Sequence, residues 1–255
     1  MPKTAPRSSS ALRFAKRFAR VLREQRFTLL FFFLMLSLAV YPYAESSAFG
    51  FYAFRTLSSA IILLTVYAVT FRRNLILLVL CLAIPALLQR IAVSPLDTGS
   101  IVLVNRLLSL AFDGIVLGII YHCVYSETKP TSETIFGALS VYLLLGFTFA
   151  SIYGLIVSLE PRAFYLDPLT NLHAVPDRFD FIYYSFGTMT ELGTPGITAV
   201  SREVRSVSLL EAILGIMYLA VLISRLMSAY RSASVVVERS GPGLSRSRQT
   251  DEDPI

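Results

Sequence analysis

Residues 179–196 read FDFIYYSFGTMTELGTPG, an aromatic apolar segment followed at once by a turn of threonine, glycine and proline. The apolar part, Phe179–Thr190, is too short to cross ~30 Å of hydrocarbon, which takes ~20 helical residues. We therefore predict a re-entrant helix, which enters the membrane and turns back. A polar backbone at membrane depth is tolerated only where it faces protein or water, so the turn predicts a pore or a binding cavity.

Longer apolar runs surround this segment and predict an all-α integral membrane protein with six transmembrane helices. The runs are Phe27–Tyr43, Phe51–Phe71, Leu75–Val93, Ser100–Tyr121, Thr134–Leu159 and Val207–Ala229. Only 16% of the 255 residues are charged, against about 25% in soluble domains. This composition excludes an ordinary soluble enzyme, a disordered chain and a nucleic-acid-binding domain. No grouping of residues indicates catalysis, a cofactor or a metal site.

Basic residues orient the predicted helices, because Lys and Arg accumulate on the cytoplasmic side. The first 26 residues hold eight Lys and Arg and a single acid, Glu24, whereas the connections at 44–50 and 94–99 hold no basic residue. We expect a multi-pass protein of the inner (plasma) membrane with both termini in the cytoplasm. Four arginines of the long segment before the last run weaken the rule there: Arg162, Arg178, Arg202 and Arg205. A cleaved signal peptide is the alternative, but the basic region is too long for one.

Residues 133–230 follow a distinct layout: long helix, polar loop, short aromatic helix, glycine-rich turn, long helix. This layout resembles the pore module of the potassium-channel superfamily, in its small bacterial form with four helices before the pore. The similarity runs through Asp180–Thr190, Gly196–Thr198 and Glu211–Arg225, and includes Thr134–Gly146 as the outer helix. It implies a homotetramer that passively conducts a monovalent cation, potassium or a less selective set. The expected partners are the bilayer and three further copies, with no nucleic acid.

Four parts of the chain follow from this resemblance and from the composition. They are a basic cytoplasmic N-terminus (1–26), a four-helix transmembrane unit (27–125), the pore module (133–230) and a disordered cytoplasmic tail (231–255). The basic segment 11–26 also has amphipathic helical spacing. It suits either the surface of an anionic leaflet or a solvated charge cluster that only sets the topology.

The stretch that aligns with the family's filter departs from its signature Thr-Val-Gly-Tyr-Gly-Asp. It reads Glu191-Leu192-Gly193-Thr194-Pro195-Gly196 and follows Thr190. Proline fixes φ near −65° and lacks an N–H, so Pro195 cannot adopt the left-handed backbone that glycine supplies. A one-residue slip that matches Gly196 to the second glycine is the alternative alignment. Either alignment predicts a non-standard ion pathway.

Glu191 replaces the threonine of the innermost ion site, so a tetramer would place four carboxylates around one axis. Such a ring favours cations. The alternative is that Glu191 turns away and pairs with Arg202 or Arg205, in a closed or non-conducting subunit. The sequence therefore leaves two functions open: a cation channel, or a non-conducting or heteromeric channel-like membrane subunit.

Other residues of the pore module have candidate roles in supporting the short helix. Asp177 or Asp180 is expected to cap its N-terminus, and Thr188 to support the filter backbone. Glu211, an acid within an apolar run, is expected to brace the short helix by hydrogen bonding. Gly215 suits either a gating hinge or close packing against the outer helix.

The fourth apolar run carries too few charges for a voltage sensor. It holds Arg106 and Asp113, seven residues apart, and one charge that crosses the membrane contributes ~2.3 kcal/mol per 100 mV. We expect an Arg106–Asp113 or Arg55–Asp113 pair that holds the bundle together, and little voltage dependence.

Overall fold

The computed structural model describes residues 25–44, 99–126, 131–171 and 173–239. These residues are mostly helical, and the helices and strands follow one another as α1 (Arg26–Ala44), α2 (Gly99–Ser126), α3 (Ser132–Leu159), β1 (Phe164–Leu166), α4 (Arg178–Met189), β2 (Ile197–Ala199) and α5 (Arg202–Arg239). The predicted crossings at 51–71 and 75–93 lie outside the described residues, as does nearly all of the basic N-terminus.

Three of the described helices are long and apolar enough to cross a membrane: Val102–Ser126, Ser132–Leu159 and Arg202–Ser228. Helix α1 has a shorter apolar part, Arg26–Val40. The chain therefore has the character of a membrane protein. Helix α5 continues to Arg239, past residue 231, where we predicted a disordered tail to begin. Helix-breaking residues come only at Gly241 and Pro242, which explains why the helix extends so far.

Helix α3 is the centre of the bundle, and its contacts fix the direction of its neighbours. At its start, the Glu133 carboxylate accepts hydrogen bonds from the Phe27 N–H (2.9 Å) and from the Thr28 hydroxyl, in the first turn of α1. Farther along α1, Leu38 packs against the cluster around Phe149, so α1 and α3 run parallel.

Helices α2 and α5 run antiparallel to α3. The Arg106 guanidinium near the start of α2 donates to the carbonyl of Gly154 near the end of α3. In α5, the Tyr218 hydroxyl donates to the carbonyl of Ala138 at 2.6 Å, near the start of α3. Residues 44 and 99 consequently lie at the same end of the bundle.

A small antiparallel sheet joins the two loops that flank α4, and the all-α prediction omitted it. Strand β1 pairs with β2 in the register Phe164↔Ala199, Tyr165↔Thr198 and Leu166↔Ile197. The N–H groups of Val200 and Ser201 then donate to the carbonyl of Ala163 (2.9 and 3.2 Å). The sheet ties the chain that leaves α3 to the chain that enters α5, and so fixes the turn between α4 and β2.

Candidate functional site

Helix α4 descends along α3 and ends near the middle of the helices beside it. Its first turn lies at the end of α3, where the Phe181 ring lies against Gly154. At its last residue, Met189, the carbonyl accepts a hydrogen bond from the Tyr142 hydroxyl at 3.2 Å. The Met189 backbone also packs closely on Gly215, near the middle of the 27-residue apolar part of α5. Twelve helical residues span about 18 Å, roughly half of a bilayer core.

The N-terminus of α4 is capped by both candidate acids. Asp177 is the N-cap: its Oδ1 accepts from the Asp180 N–H, and Asp180 Oδ2 accepts from the Asp177 N–H, each at 2.9 Å. A capping box satisfies two N–H groups that the helix leaves open. The Nε2 atom of His173 lies 3.0 Å from Asp180 Oδ2, so the three side chains form one cluster. The only sequence signal for His173 is its spacing of four and seven residues from the two acids.

A buried polar network connects α4 to α3 and α5. Glu211 of α5 is 0% exposed. One carboxylate oxygen accepts from the Ser185 hydroxyl of α4, and the other accepts from the Tyr153 hydroxyl of α3. The Ser208 hydroxyl extends the network to Tyr153 (3.2 Å) and Tyr184 (2.9 Å). One acid therefore bridges three helices, and Tyr153 and Ser208 are members that sequence analysis missed.

The carbonyls at the C-terminal end of α4 are occupied by donors from nearby residues. The donors are the backbone N–H groups of Thr190, Glu191 and Gly193, and the Tyr142 hydroxyl. The Thr188 hydroxyl donates to the Tyr184 carbonyl at 2.8 Å, and the Thr190 hydroxyl donates to the Phe186 carbonyl at 2.6 Å. Each hydroxyl thus donates to the carbonyl four residues earlier, as is common for threonine. The predicted hydrogen bond from Thr188 to the filter backbone is therefore not formed in the described structure.

The turn after α4 has three residues with positive φ: Glu191 (57°), Gly193 (84°) and Gly196 (89°). Gly193 and Gly196 are the pair that the slipped alignment matches to the two glycines of the family signature. A left-handed backbone is uncommon for a residue other than glycine, which makes Glu191 the unusual position of the turn. Its side chain is exposed and forms no ion pair with Arg202 or Arg205 within the described part of the chain.

Two carbonyls of the predicted ion pathway are already used within the chain. The Gly196 carbonyl accepts from the Asp167 N–H (2.9 Å) and from the Asn171 amide (2.8 Å). The Thr194 carbonyl accepts from the Ile197 N–H at 3.2 Å. These two oxygens are oriented toward the protein, so in this conformation they are not placed to replace the hydration shell of an ion.

The rest of the turn and most side chains of α5 are exposed on the surface of the chain. Leu192 is 77% exposed, and Glu191, Gly193 and Pro195 are also exposed. Helix α5 buries only a narrow stripe, while most of its apolar side chains are uncovered: Leu209, Leu210, Ile213, Leu214, Ile216, Met217, Leu219, Val221, Ile223 and Met227. Gly215 lies within the buried stripe, and a Cβ atom there would lie 3.2 Å from the Met189 carbonyl oxygen. That contact supports the close-packing interpretation of Gly215, and its role as a hinge stays a prediction.

The charges of α2 contact α3. Arg106 donates to the Gly154 carbonyl, and Asp113 accepts from the Ser151 hydroxyl at 2.7 Å. An Arg106–Asp113 ion pair is therefore not formed among the described residues, because the guanidinium points to the end of α3. Arg55, the other predicted partner of Asp113, lies outside the described residues.

Comparison with known proteins adds no family assignment. No protein-family model, curated protein or solved structure matches this chain.

Proposed function

We propose that this chain is the subunit of a homotetrameric, potassium-channel-like cation channel of the plasma membrane, in which residues 190–196 of four copies surround a watery axis. The observation that carries the proposal is the position of α4. This helix is too short to cross, lies between two spanning helices and ends near their middle at the contacts with Tyr142 and Gly215. The exposed polar turn that follows is then at membrane depth.

An exposed polar turn at that depth has to face water or protein, because hydrocarbon offers no hydrogen-bond partner. A single chain leaves Glu191, Leu192 and Gly193 uncovered. It also leaves the apolar side chains of α5 uncovered, although α5 is the helix expected to line a shared cavity. Four copies arranged around one axis would provide both a partner for α5 and a water-filled space for the turn.

Six crossings with both termini in the cytoplasm are consistent with the directions of the described helices. Residues 44 and 99 lie at the same end of the bundle, so the segment between them needs an even number of crossings. The two runs predicted at 51–71 and 75–93 meet that need. With α1 starting inside, the second half of α3 and the start of α4 belong to the outer half of the membrane.

Cation selectivity is the expected consequence of Glu191. Its carboxylate is exposed at the turn and has no ion-pair partner within the described residues. Four such groups close to one axis repel one another, and a cation among them relieves the repulsion. The negative end of α4 adds to the same field. We expect passage of potassium or of a less selective set of monovalent cations.

One observation favours the alternative function, a non-conducting or heteromeric channel-like subunit. The Gly196 and Thr194 carbonyls are engaged within the chain, and Pro195 between them removes one backbone donor. A filter built from these residues alone would present fewer carbonyl oxygens to an ion than a standard potassium filter does. A partner subunit with a regular filter would supply the missing ones.

The test uses the full-length protein, purified and reconstituted in liposomes. We expect a native mass of four chains of 28.3 kDa and a cation flux whose preference for cations over anions falls in Glu191→Gln. Glu203→Gln is the matched control, since Glu203 is an exposed acid in the first turn of α5. A tetramer with no flux would favour the alternative function, and a monomer would exclude the homotetrameric channel.

A further inference from the structure

A cavity of about 270 Å³ lies between α2, α3 and α4, and the turn after α4 takes no part in it. Its polar lining includes two arginines, Arg106 from α2 and Arg178 from the first turn of α4, together with Ser109 and Ser151. The remaining wall is largely apolar and includes Phe147 and Phe181. The site therefore combines a cationic end with an apolar end.

The two arginines have free hydrogen-bonding capacity within the described residues. The Arg106 guanidinium donates to the Gly154 carbonyl, which leaves most of its five N–H donors for another acceptor. Arg178 is exposed and lines the same cavity as Arg106. Asp177 also lines the cavity, but one of its oxygens caps α4 and the other lies 3.7 Å from His173. An anion between the arginines would relieve their mutual repulsion.

The position of the cavity along the helices indicates what kind of anion reaches it. Arg106 is near the start of α2, Gly154 is five residues before the end of α3, and Arg178 begins α4. All three helix ends lie at the same end of the bundle. In a bilayer this is the level where hydrocarbon gives way to headgroups, on the outer side in the topology proposed above. The anion that every phospholipid carries at this level is its phosphate. Guanidinium groups pair well with phosphate oxygens through two parallel hydrogen bonds.

We infer that this cavity binds the phosphodiester group of an anionic phospholipid, with the phosphate between Arg106 and Arg178 and the glycerol end against Phe147 and Phe181. A volume of about 270 Å³ suits a headgroup but not the acyl chains. The chains would leave through the open side of the cavity into the bilayer. A bound lipid would join α2 to the short helix, and this role is independent of whether the protein conducts ions.

The experiment measures thermal unfolding of the full-length protein, freed of lipid in detergent, by far-ultraviolet circular dichroism. Three probes are titrated: short-chain phosphatidylglycerol, a diacylglycerol of the same chain length and inorganic phosphate. A ligand that binds only the folded state raises the unfolding temperature, and above its Kd the rise grows with the logarithm of the ligand concentration. We expect this rise with phosphatidylglycerol alone.

Arg178→Gln is the decisive variant, because Arg178 is exposed and its replacement should leave the fold intact. We expect it to weaken phosphatidylglycerol binding by about tenfold, the usual effect of losing one charge-assisted hydrogen bond. Arg106→Gln is expected to weaken binding at least as much, though it also removes the contact to Gly154. Arg162→Gln is the control, since Arg162 is exposed and lies outside the cavity; it should bind within twofold of the natural protein.

Each other outcome would overturn the inference. If Arg178→Gln binds phosphatidylglycerol as well as the natural protein does, the phosphate does not bind in this cavity. An equal rise with diacylglycerol would show that the acyl chains alone bind. Inorganic phosphate could raise the unfolding temperature as much as phosphatidylglycerol does, with the rise lost in Arg178→Gln. That result would show that the cavity binds a free anion and not a lipid.

Discussion

Replacing Glu211 by alanine should destabilise the protein by about 3 kcal/mol. Its side chain is fully buried and accepts from the hydroxyls of Ser185 and Tyr153. A buried donor without an acceptor costs about 1–3 kcal/mol, so two donors would cost about 2–6 kcal/mol. The Ser185 hydroxyl retains the Gly146 carbonyl at 2.8 Å, and Tyr153 retains Ser208 at 3.2 Å. These remaining partners place the expected loss in the lower half of that range.

The assay is thermal unfolding of the purified protein in detergent, followed by circular dichroism. A loss of about 3 kcal/mol corresponds to a fall in Tm of roughly 6–12 °C for a chain of this size. Glu203→Ala is the matched control, an exposed acid in the first turn of the same helix, and should change stability by less than about 0.5 kcal/mol. In a double-mutant cycle, Glu211→Ala and Ser185→Ala should couple by about 1 kcal/mol, because the two residues touch.

A Glu211→Ala protein that melts within a degree or two of the natural protein would refute the bridging role of this side chain. Strict additivity with Ser185→Ala would also refute it, since the hydrogen bond between α4 and α5 would then contribute nothing. A fall in Tm of equal size in Glu203→Ala would point to a general effect of charge on α5 instead.

Three further predictions concern packing, capping and voltage. Gly146→Ala should cost about 1–3 kcal/mol in unfolding experiments, because its Cβ would lie 2.7 Å from the Phe186 ring. Gly118→Ala, where the added Cβ meets no atom of the described residues within 4 Å, should be neutral or stabilising; equal effects would contradict the packing. Asp177→Ala should lose about 1 kcal/mol through the cap of α4, measured in the same assay, and no loss would mean that the cap is dispensable. If the protein conducts, planar-bilayer currents should depend weakly on voltage; a steep dependence abolished by Arg106→Gln would prove a sensor.

The short helix was the most predictable element of the chain. The aromatic run and the turn that follows it gave Phe179–Thr190, and the structure has Arg178–Met189. The start of α5 was harder to predict from the sequence, because the apolar run begins only at Val207 while the helix begins at Arg202. The Ser201 hydroxyl accepts from the Val204 N–H at 3.3 Å there. Three of the first four residues, Arg202, Glu203 and Arg205, are charged and exposed, and only Val204 is apolar and buried, so an apolar pattern does not detect this turn.

The partners of Glu211 show what the sequence did not reveal. An acid within an apolar run indicates a buried hydrogen-bond acceptor, and that much was predictable. Its partners are Ser185 and Tyr153, which lie 26 and 58 residues away along the chain. Only the packing of three helices brings them together. The two-stranded sheet escaped prediction for a similar reason, since strands of three residues carry almost no periodicity.

Disulfide cross-linking at Leu192 tests most directly whether the turn near Gly193 surrounds a shared axis. Leu192→Cys and the control Val104→Cys, an exposed site on α2, would each be made in a chain with Cys81 and Cys123 replaced by serine and reconstituted in liposomes. We predict that oxidation links Leu192→Cys chains into dimers at a rate independent of protein dilution, while links at Val104→Cys fall with dilution. If the Leu192→Cys protein forms no cross-linked dimer, the shared axis is contradicted. It is also contradicted if cross-linking of this protein slows on dilution as it does in the control.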